Sequence, residues 1–254
     1  MSNIRFLYTF KNDEDDVVIT SSSESGTLVD DNVVDDFVAK KWRTEADTGQ
    51  WIKFDLQEAK KITQISIFGH NLTSEAVVTI EASSDDDWEG AGDPEYSEGM
   101  TWGEFCITEF LDETFQWWRI TIEDGDNSDE YIEIGRICIG EYIEPSINVT
   151  HEVQKKINDP SYKQASAGQQ KYAVEKDVYR VFEVFFSSIG RAQQDQLEVM
   201  FRTVKTIRPL VLALDPDNYP EEDTIYCEVI TQLNMAQAIL GYGDVPISFE
   251  EKVG

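Results

Sequence analysis

Between Ser84 and Gly103 the chain carries Trp88, Tyr96 and Trp102 among Asp85, Asp86, Asp87, Glu89, Asp93, Glu95 and Glu98. Aromatic faces stack on the apolar face of a sugar ring while carboxylates accept its hydroxyl protons, so this composition suits a glycan contact. It equally suits a solvated acidic loop whose aromatics tuck onto the domain or a neighbouring subunit. His70, with Ser66, Ser74 and Asp55 nearby in sequence, is the starting point for a hydrolase centre. No nucleophile elbow or oxyanion loop accompanies it, and a turn-forming role for His70-Asn71 is expected instead. Carboxylate pairs for glycosidase chemistry need a defined separation across a cleft, and among 50 acidic residues some proximity arises by chance. No catalytic residue is assigned, and the chain is expected not to be an enzyme.

Metal chemistry is thinly represented. Asp124-Gly125-Asp126-Asn127-Ser128-Asp129-Glu130 offers hard oxygen ligands, but an EF-hand loop needs Gly at its sixth position and Glu at its twelfth, where this run has Asp129 and Gly135. The segment is expected to be a turn between strands. With only His70 and His151, a His-rich zinc site is excluded. Cys106, Cys138 and Cys227 are far apart, form no C-x-x-C pair, and read as reduced thiols that pack like small hydrophobes. Phosphate-binding glycine loops, H-E-x-x-H and G-x-G-x-x-G are all missing.

The 254 residues are 41% hydrophobic and 11% aromatic, enough for real cores, and carry a formal charge of −29. Such acidity repels phosphate backbones and anionic lipid, which excludes a broad nucleic-acid interface. No apolar run is long enough to span a membrane, and Met-Ser-Asn-Ile-Arg-Phe begins like a cytoplasmic product without a leader.

The acid is unevenly spread. Residues 1–145 hold 34 acidic and 10 basic side chains, a balance of −24, whereas 146–254 hold 16 and 11, a balance of −5. With Pro145 and Pro160 as breaks, this implies a domain over 1–142, a linker over 143–159 and a second domain over 160–254. Ile52, Phe54 and Leu56 alternate in Trp51–Leu56, and the pattern recurs in Ile62–Ile67, Ala76–Ala82, Trp117–Glu123 and Tyr131–Gly140. Short strands separated by Gly, Asp, Asn and Ser clusters predict an antiparallel sandwich. In the second half, Val178–Phe186 reads as a strand. Leu197, Met200, Phe201 and Val204 then recur at helical spacing within an amphipathic helix over about 191–205. Strands at Leu210–Leu214, Thr224–Thr231 and Val245–Glu251 follow. The fold class is mainly β, with the second module a helix-decorated, α+β sandwich.

Trp42-Arg43-Thr44, Trp51–Leu56, Phe68-Gly69-His70-Asn71-Leu72, Trp117-Trp118-Arg119-Ile120 and Tyr131–Ile137 together resemble the discoidin-like, galactose-binding jelly-roll superfamily over about 30–142. More narrowly, the GHNL, WWRI and YIEIGRI stretches look like virion proteins of tailed bacteriophages. Val178–Phe186, the helix after Gly190, Leu214-Asp215-Pro216 and Val245–Glu251 resemble distal-tail-like β-sandwich modules. This resemblance implies a structural virion protein: a tail-tip, adaptor or ring subunit made in the host cytoplasm. Its partners would be other tail proteins and copies of itself in a homo-oligomeric ring. The jelly roll would be displayed, with Trp88, Tyr96 and Trp102 meeting a protein or a host-surface glycan. The alternative is a lectin-like adsorption protein, with a glycan-active enzyme a distant third. No cofactor is implied beyond the structural calcium ion that related jelly rolls often carry.

Overall fold

The computed structural model describes residues 3–88, 94–149, 153–166, 168–239 and 241–253. In chain order the strands of the first part are β1 (Arg5–Leu7), β2 (Val18–Ser21), β3 (Trp42–Arg43), β4 (Gln50–Phe68), β5 (Val77–Ser83), β6 (Tyr96–Met100), β7 (Cys106–Glu123), β8 (Glu133–Ile134) and β9 (Arg136–Gly140). There follow β10 (Gln154–Asn158), β11 (Tyr162–Ala165), β12 (Lys171–Val174), β13 (Tyr179–Gly190), helix α1 (Arg191–Val204), β14 (Pro209–Ala213), the short helix α2 (Pro220–Asp223), β15 (Thr224–Val229), β16 (Ala236–Ile239) and β17 (Tyr242–Glu251). The architecture is mainly β, with antiparallel ladders in both parts.

Contacts divide the chain into two units. One is Met1–Pro145 with Leu210–Tyr226, the other Ser146–Pro209 with Cys227–Val253. The sequence alone places everything after 160 in one domain, whereas in the structure 210–226 belongs with the first unit.

In the first unit the principal sheet runs β2-β4-β7-β5-β6, with β9 also on β4 and a separate β3-β8 pair. β4 and β7 are long because their alternation is sustained. From Gln50 to Leu56 every second residue is buried, which sends Ile52, Phe54 and Leu56 inward. A bulge then interrupts the ladder between Asp55 and Lys60, where Gln57 takes a φ of 64°. Beyond it, Ile62–Phe68 is buried throughout, since this half of β4 pairs with both β7 and β9. The main core gathers Trp42, Ile52, Phe54, Ile80, Trp118, Ile120 and Ile137. A second cluster joins Leu7, Val38, Phe68, Cys106 and Cys138 to Val211 and Tyr226.

Arg136 lies beside that cluster with a fully buried side chain, over the rings of Phe10 (4.9 Å) and Tyr226 (5.7 Å). A buried cation needs a counter-charge, and Asp13 provides it. Asp13 stays exposed as a residue while its carboxyl reaches Arg136, and desolvation there pushes its pKa up against the pull of that guanidinium. Cys106, Cys138 and Cys227 are buried thiols that form no disulfide, and burial raises the Cys138 thiol to about 12.

In the second unit β10, β13 and β17 form a sheet, extended on β17 by β16 and by Cys227–Val229 of β15. Leu197, Met200 and Val204 are the buried stripe of α1, which lies on β13 and β17. β10 falls inside the stretch read as a linker; its Gln-Lys-Lys-Ile-Asn sequence is exposed at every position and gives no strand signal. β11 and β12 form a ribbon in which all eight residues are exposed. Among the described residues no helix is long and apolar enough to cross a membrane.

The return of 210–226 has a measurable consequence. All six Trp lie within 1–145, so their fluorescence reports on the first unit. A fragment ending at Pro145 loses Val211 and Tyr226 from the second cluster, a loss of at least about 3 kcal/mol of apolar burial. Its thermal unfolding by Trp fluorescence should therefore lie well below that of the whole chain. Coincident transitions would show that 210–226 contributes nothing to this unit.

Candidate functional site

The strands that bury Ile52, Phe54, Trp118 and Ile120 present a different row on their opposite face. On β4 this row is Trp51, Lys53 and Asp55; on β7 it is Trp117, Arg119 and Thr121; on β5 it is Thr79, Glu81 and Ser83. The register sets Lys53 opposite Arg119 and Arg119 opposite Glu81, while Trp117 lies between Asp55 and Ser83. The Lys53 ammonium stands over both Trp51 (5.8 Å) and Trp117 (5.2 Å). Arg119 donates to Glu81 at 2.7 Å, and its guanidinium lies 4.3 Å from the ring centre of Trp88.

Asp86 ties the loop after β5 to this face. One of its oxygens accepts from Lys53 Nζ at 2.6 Å and from the Trp88 indole N–H at 2.8 Å. Burial opposes ionisation of Asp86, but these two hydrogen bonds and the charges of Lys53 and Arg119 hold its carboxyl below the ordinary value. Asp55 accepts from Gln116 at 2.8 Å. The result is three half-buried indoles interleaved with paired charges that are themselves mostly covered, the Lys53 and Arg119 side chains being 16% and 19% exposed.

The structure does not bring Trp88, Tyr96 and Trp102 together. Trp88 joins the outer face just described. Tyr96, opposite Ala82, turns to the inner face and packs 6.3 Å from the buried ring of Trp118. Trp102 follows the far end of β6, and its indole N–H donates to Leu72 C=O at 3.0 Å. Glu89 and Asp93 lie outside the described residues, as does His151. Trp51, Lys53, Trp117 and Arg119 were available in the sequence. The same alternation that sends Ile52 and Phe54 inward puts two indoles and two cations on the face where a solvated sheet carries small polar residues.

His70 is held as a structural group. Its Nδ1 accepts from Leu72 N–H at 3.2 Å, so the ring proton sits on Nε2 and donates to Gly103 C=O at 3.1 Å. Gly69 sets up this turn with a φ of +65°, and a Cβ there would collide with Val38 and Lys41. Asp124 accepts from the backbone and hydroxyl of Thr73 and from Asn127, which makes the Asp124–Glu130 segment a turn whose carboxylate is already engaged. A calcium ion does not fit there. Among the described residues no group of three or more His, Cys, Asp or Glu side chains converges as a metal site would.

Residues 18–108, from the start of β2 into β7, match the F5/8 type C domain family. Among solved structures, CpGH89CBM32-6 produced by Clostridium perfringens is similar at 18% identity over 52% of this chain and 99% of that one, with a TM-score of 0.41. The family 32 CBM from C. perfringens NanJ in complex with galactose is similar at 15% identity over 55% and 99%, with a TM-score of 0.40. The CBM32 of AlyQ in complex with 4,5-unsaturated mannuronic acid is similar at 20% identity over 52% and 96%, with a TM-score of 0.36. No curated protein matches the sequence. The matched residues fall within the first unit, so the match does not bear on the tail-module expectation for the second half.

Burial lowers the His70 imidazole from 6.5 to about 4. An unfolded His70 takes up its proton near pH 6.5 and the folded one only near pH 4. The unfolded state therefore binds more protons in that window, and stability falls as pH drops through it. The full shift is worth on the order of 3 kcal/mol. Denaturant unfolding followed by Trp fluorescence at pH 7 and pH 4.5 should show this loss, and His70→Gln should remove most of it. An unchanged pH dependence in the variant would refute the assignment.

Proposed function

We propose that the first unit is a non-catalytic carbohydrate-binding module whose contact surface is the outer face of β4, β7 and β5. The observation that carries this reading is the cluster of Trp51, Trp117 and Trp88 around the Lys53–Asp86 and Arg119–Glu81 pairs. Indole faces supply stacking area, and the paired charges supply donors and acceptors beside it. The family match over 18–108 is consistent with a binding module. The non-catalytic part of the proposal is supported by His70, whose two ring nitrogens are both engaged by backbone groups.

A role as a virion subunit is a second reading, favoured by the exposed ribbon of the second unit. Tyr162, Val174 and Tyr172 share one face of β11-β12, and each is exposed. A two-stranded ribbon is marginal in water unless something covers its apolar face, and a second copy in a closed ring would do so. Such a chain would be made in a bacterial host and end in the particle. Light scattering on the whole chain should give a defined oligomer that reverts to monomer when Tyr162 and Tyr172 are both changed to Ser. A monomer at all concentrations would remove this reading.

For the carbohydrate reading, glycan arrays should yield binding by the whole chain. Trp51→Ala and Trp117→Ala should each weaken it about tenfold, roughly 1.4 kcal/mol, in variants that still unfold cooperatively. Tyr96→Phe should bind normally, since its ring faces the core side. Retained binding in the double Trp variant would place the contact elsewhere.

A further inference from the structure

Building on the carbohydrate reading, we propose that this face selects a neutral, extended oligosaccharide over a monosaccharide or an acidic sugar. The two cations that an acidic sugar would need are already matched: Lys53 by Asp86 at 2.6 Å and Arg119 by Glu81 at 2.7 Å. With Asp55 included, the charged residues of the face sum to one negative charge, in a chain of −29. A uronate or sulfate would bring a further negative charge to cations whose charge is already matched, on a face and a chain of net negative charge. A hydroxyl group both donates and accepts. It can add to a Lys–Asp or Arg–Glu pair without breaking it, because the ammonium and guanidinium keep unused protons and the carboxylates keep unused lone pairs.

Length selection follows from the register. Trp117 is opposite Asp55, four residues along β4 from Trp51. That backbone stagger is ~13 Å at ~3.3 Å per residue, while the two ring centres, 5.8 and 5.2 Å from Lys53 Nζ, are at most 11 Å apart, a spacing that linked hexoses fit better than one ring. The Lys53 ammonium lies between the two indoles. A chain of linked hexoses stacked on both would therefore cross the Lys53–Asp86 pair midway, with Trp88 and Arg119 alongside it.

Calorimetric titration of the whole chain tests this with cellotriose, mannotriose and galactotriose, their monosaccharides, and trigalacturonic acid, each at 50 and 500 mM NaCl. The expected result is one neutral trisaccharide binding at least tenfold more tightly than its monosaccharide, changing less than twofold with salt. Trigalacturonic acid should bind at least tenfold more weakly. Asp86→Asn frees Lys53 and should raise trigalacturonic acid affinity at least threefold at 50 mM NaCl. Tightest binding by trigalacturonic acid, falling steeply with salt, would overturn the neutral selection while leaving the carbohydrate reading intact. Equal binding of trisaccharide and monosaccharide would overturn the length selection alone. Failure of every sugar to bind would overturn both the selection and the reading it rests on.

Discussion

Two cations face each other across the central ladder of the first unit: Lys53 on β4 stands directly opposite Arg119 on β7. Like charges at opposed positions of an antiparallel pair are destabilising, so the register is tolerable only with compensation nearby. β5 supplies Glu81 on the far side of Arg119, and the loop beyond β5 supplies Asp86 to Lys53. Three indoles then cover what remains of the two positive groups. The arrangement is thus a strand-register problem solved by neighbours, and its solution leaves an aromatic, charge-paired surface.

The inner face makes that register hard to escape. Shifting β4 by one residue against β7 would turn Ile52 and Phe54 out and Lys53 in, at the cost of a core that includes Trp118 and Ile120. Core packing therefore fixes the outer row as firmly as the inner one. Asp86 extends the constraint to a loop, since one of its two carboxylate oxygens holds both a sheet lysine and the Trp88 indole. The strong negative charge of this half works in the same direction: it disfavours anionic ligands, while the local pairs leave hydroxyl-sized donors and acceptors free.

Period-two alternation made most of the first unit legible, because a half-buried antiparallel strand writes its burial into every second residue. The helix of the second half was legible for the corresponding reason, with Leu197, Met200 and Val204 buried at its characteristic spacing. What stayed hidden had other causes. β10, β11 and β12 bury nothing, so no periodicity marks them. The placement of 210–226 depends on long-range packing of Val211 and Tyr226, which local pattern does not encode. Proximity in sequence suggested that Trp88, Tyr96 and Trp102 converge, yet β6 separates them, since Tyr96 and Trp102 flank its two ends and turn to other surroundings. The outer row was readable in Trp51-Ile52-Lys53 and Trp117-Trp118-Arg119, but only once strand pairing set the two segments side by side.

The central claim is that the outer face of β4, β7 and β5, and not the loop carrying Trp102, is where ligand is met. Proton–nitrogen correlation of the six indole N–H groups during addition of a neutral trisaccharide tests it most directly. Trp51, Trp88 and Trp117 should shift together along one binding curve. Trp42, Trp102 and Trp118, whose indoles are bonded to Ser23, Leu72 and Phe115 carbonyls, should stay in place. A titration that moves Trp102 while Trp51 and Trp117 remain still would contradict the account.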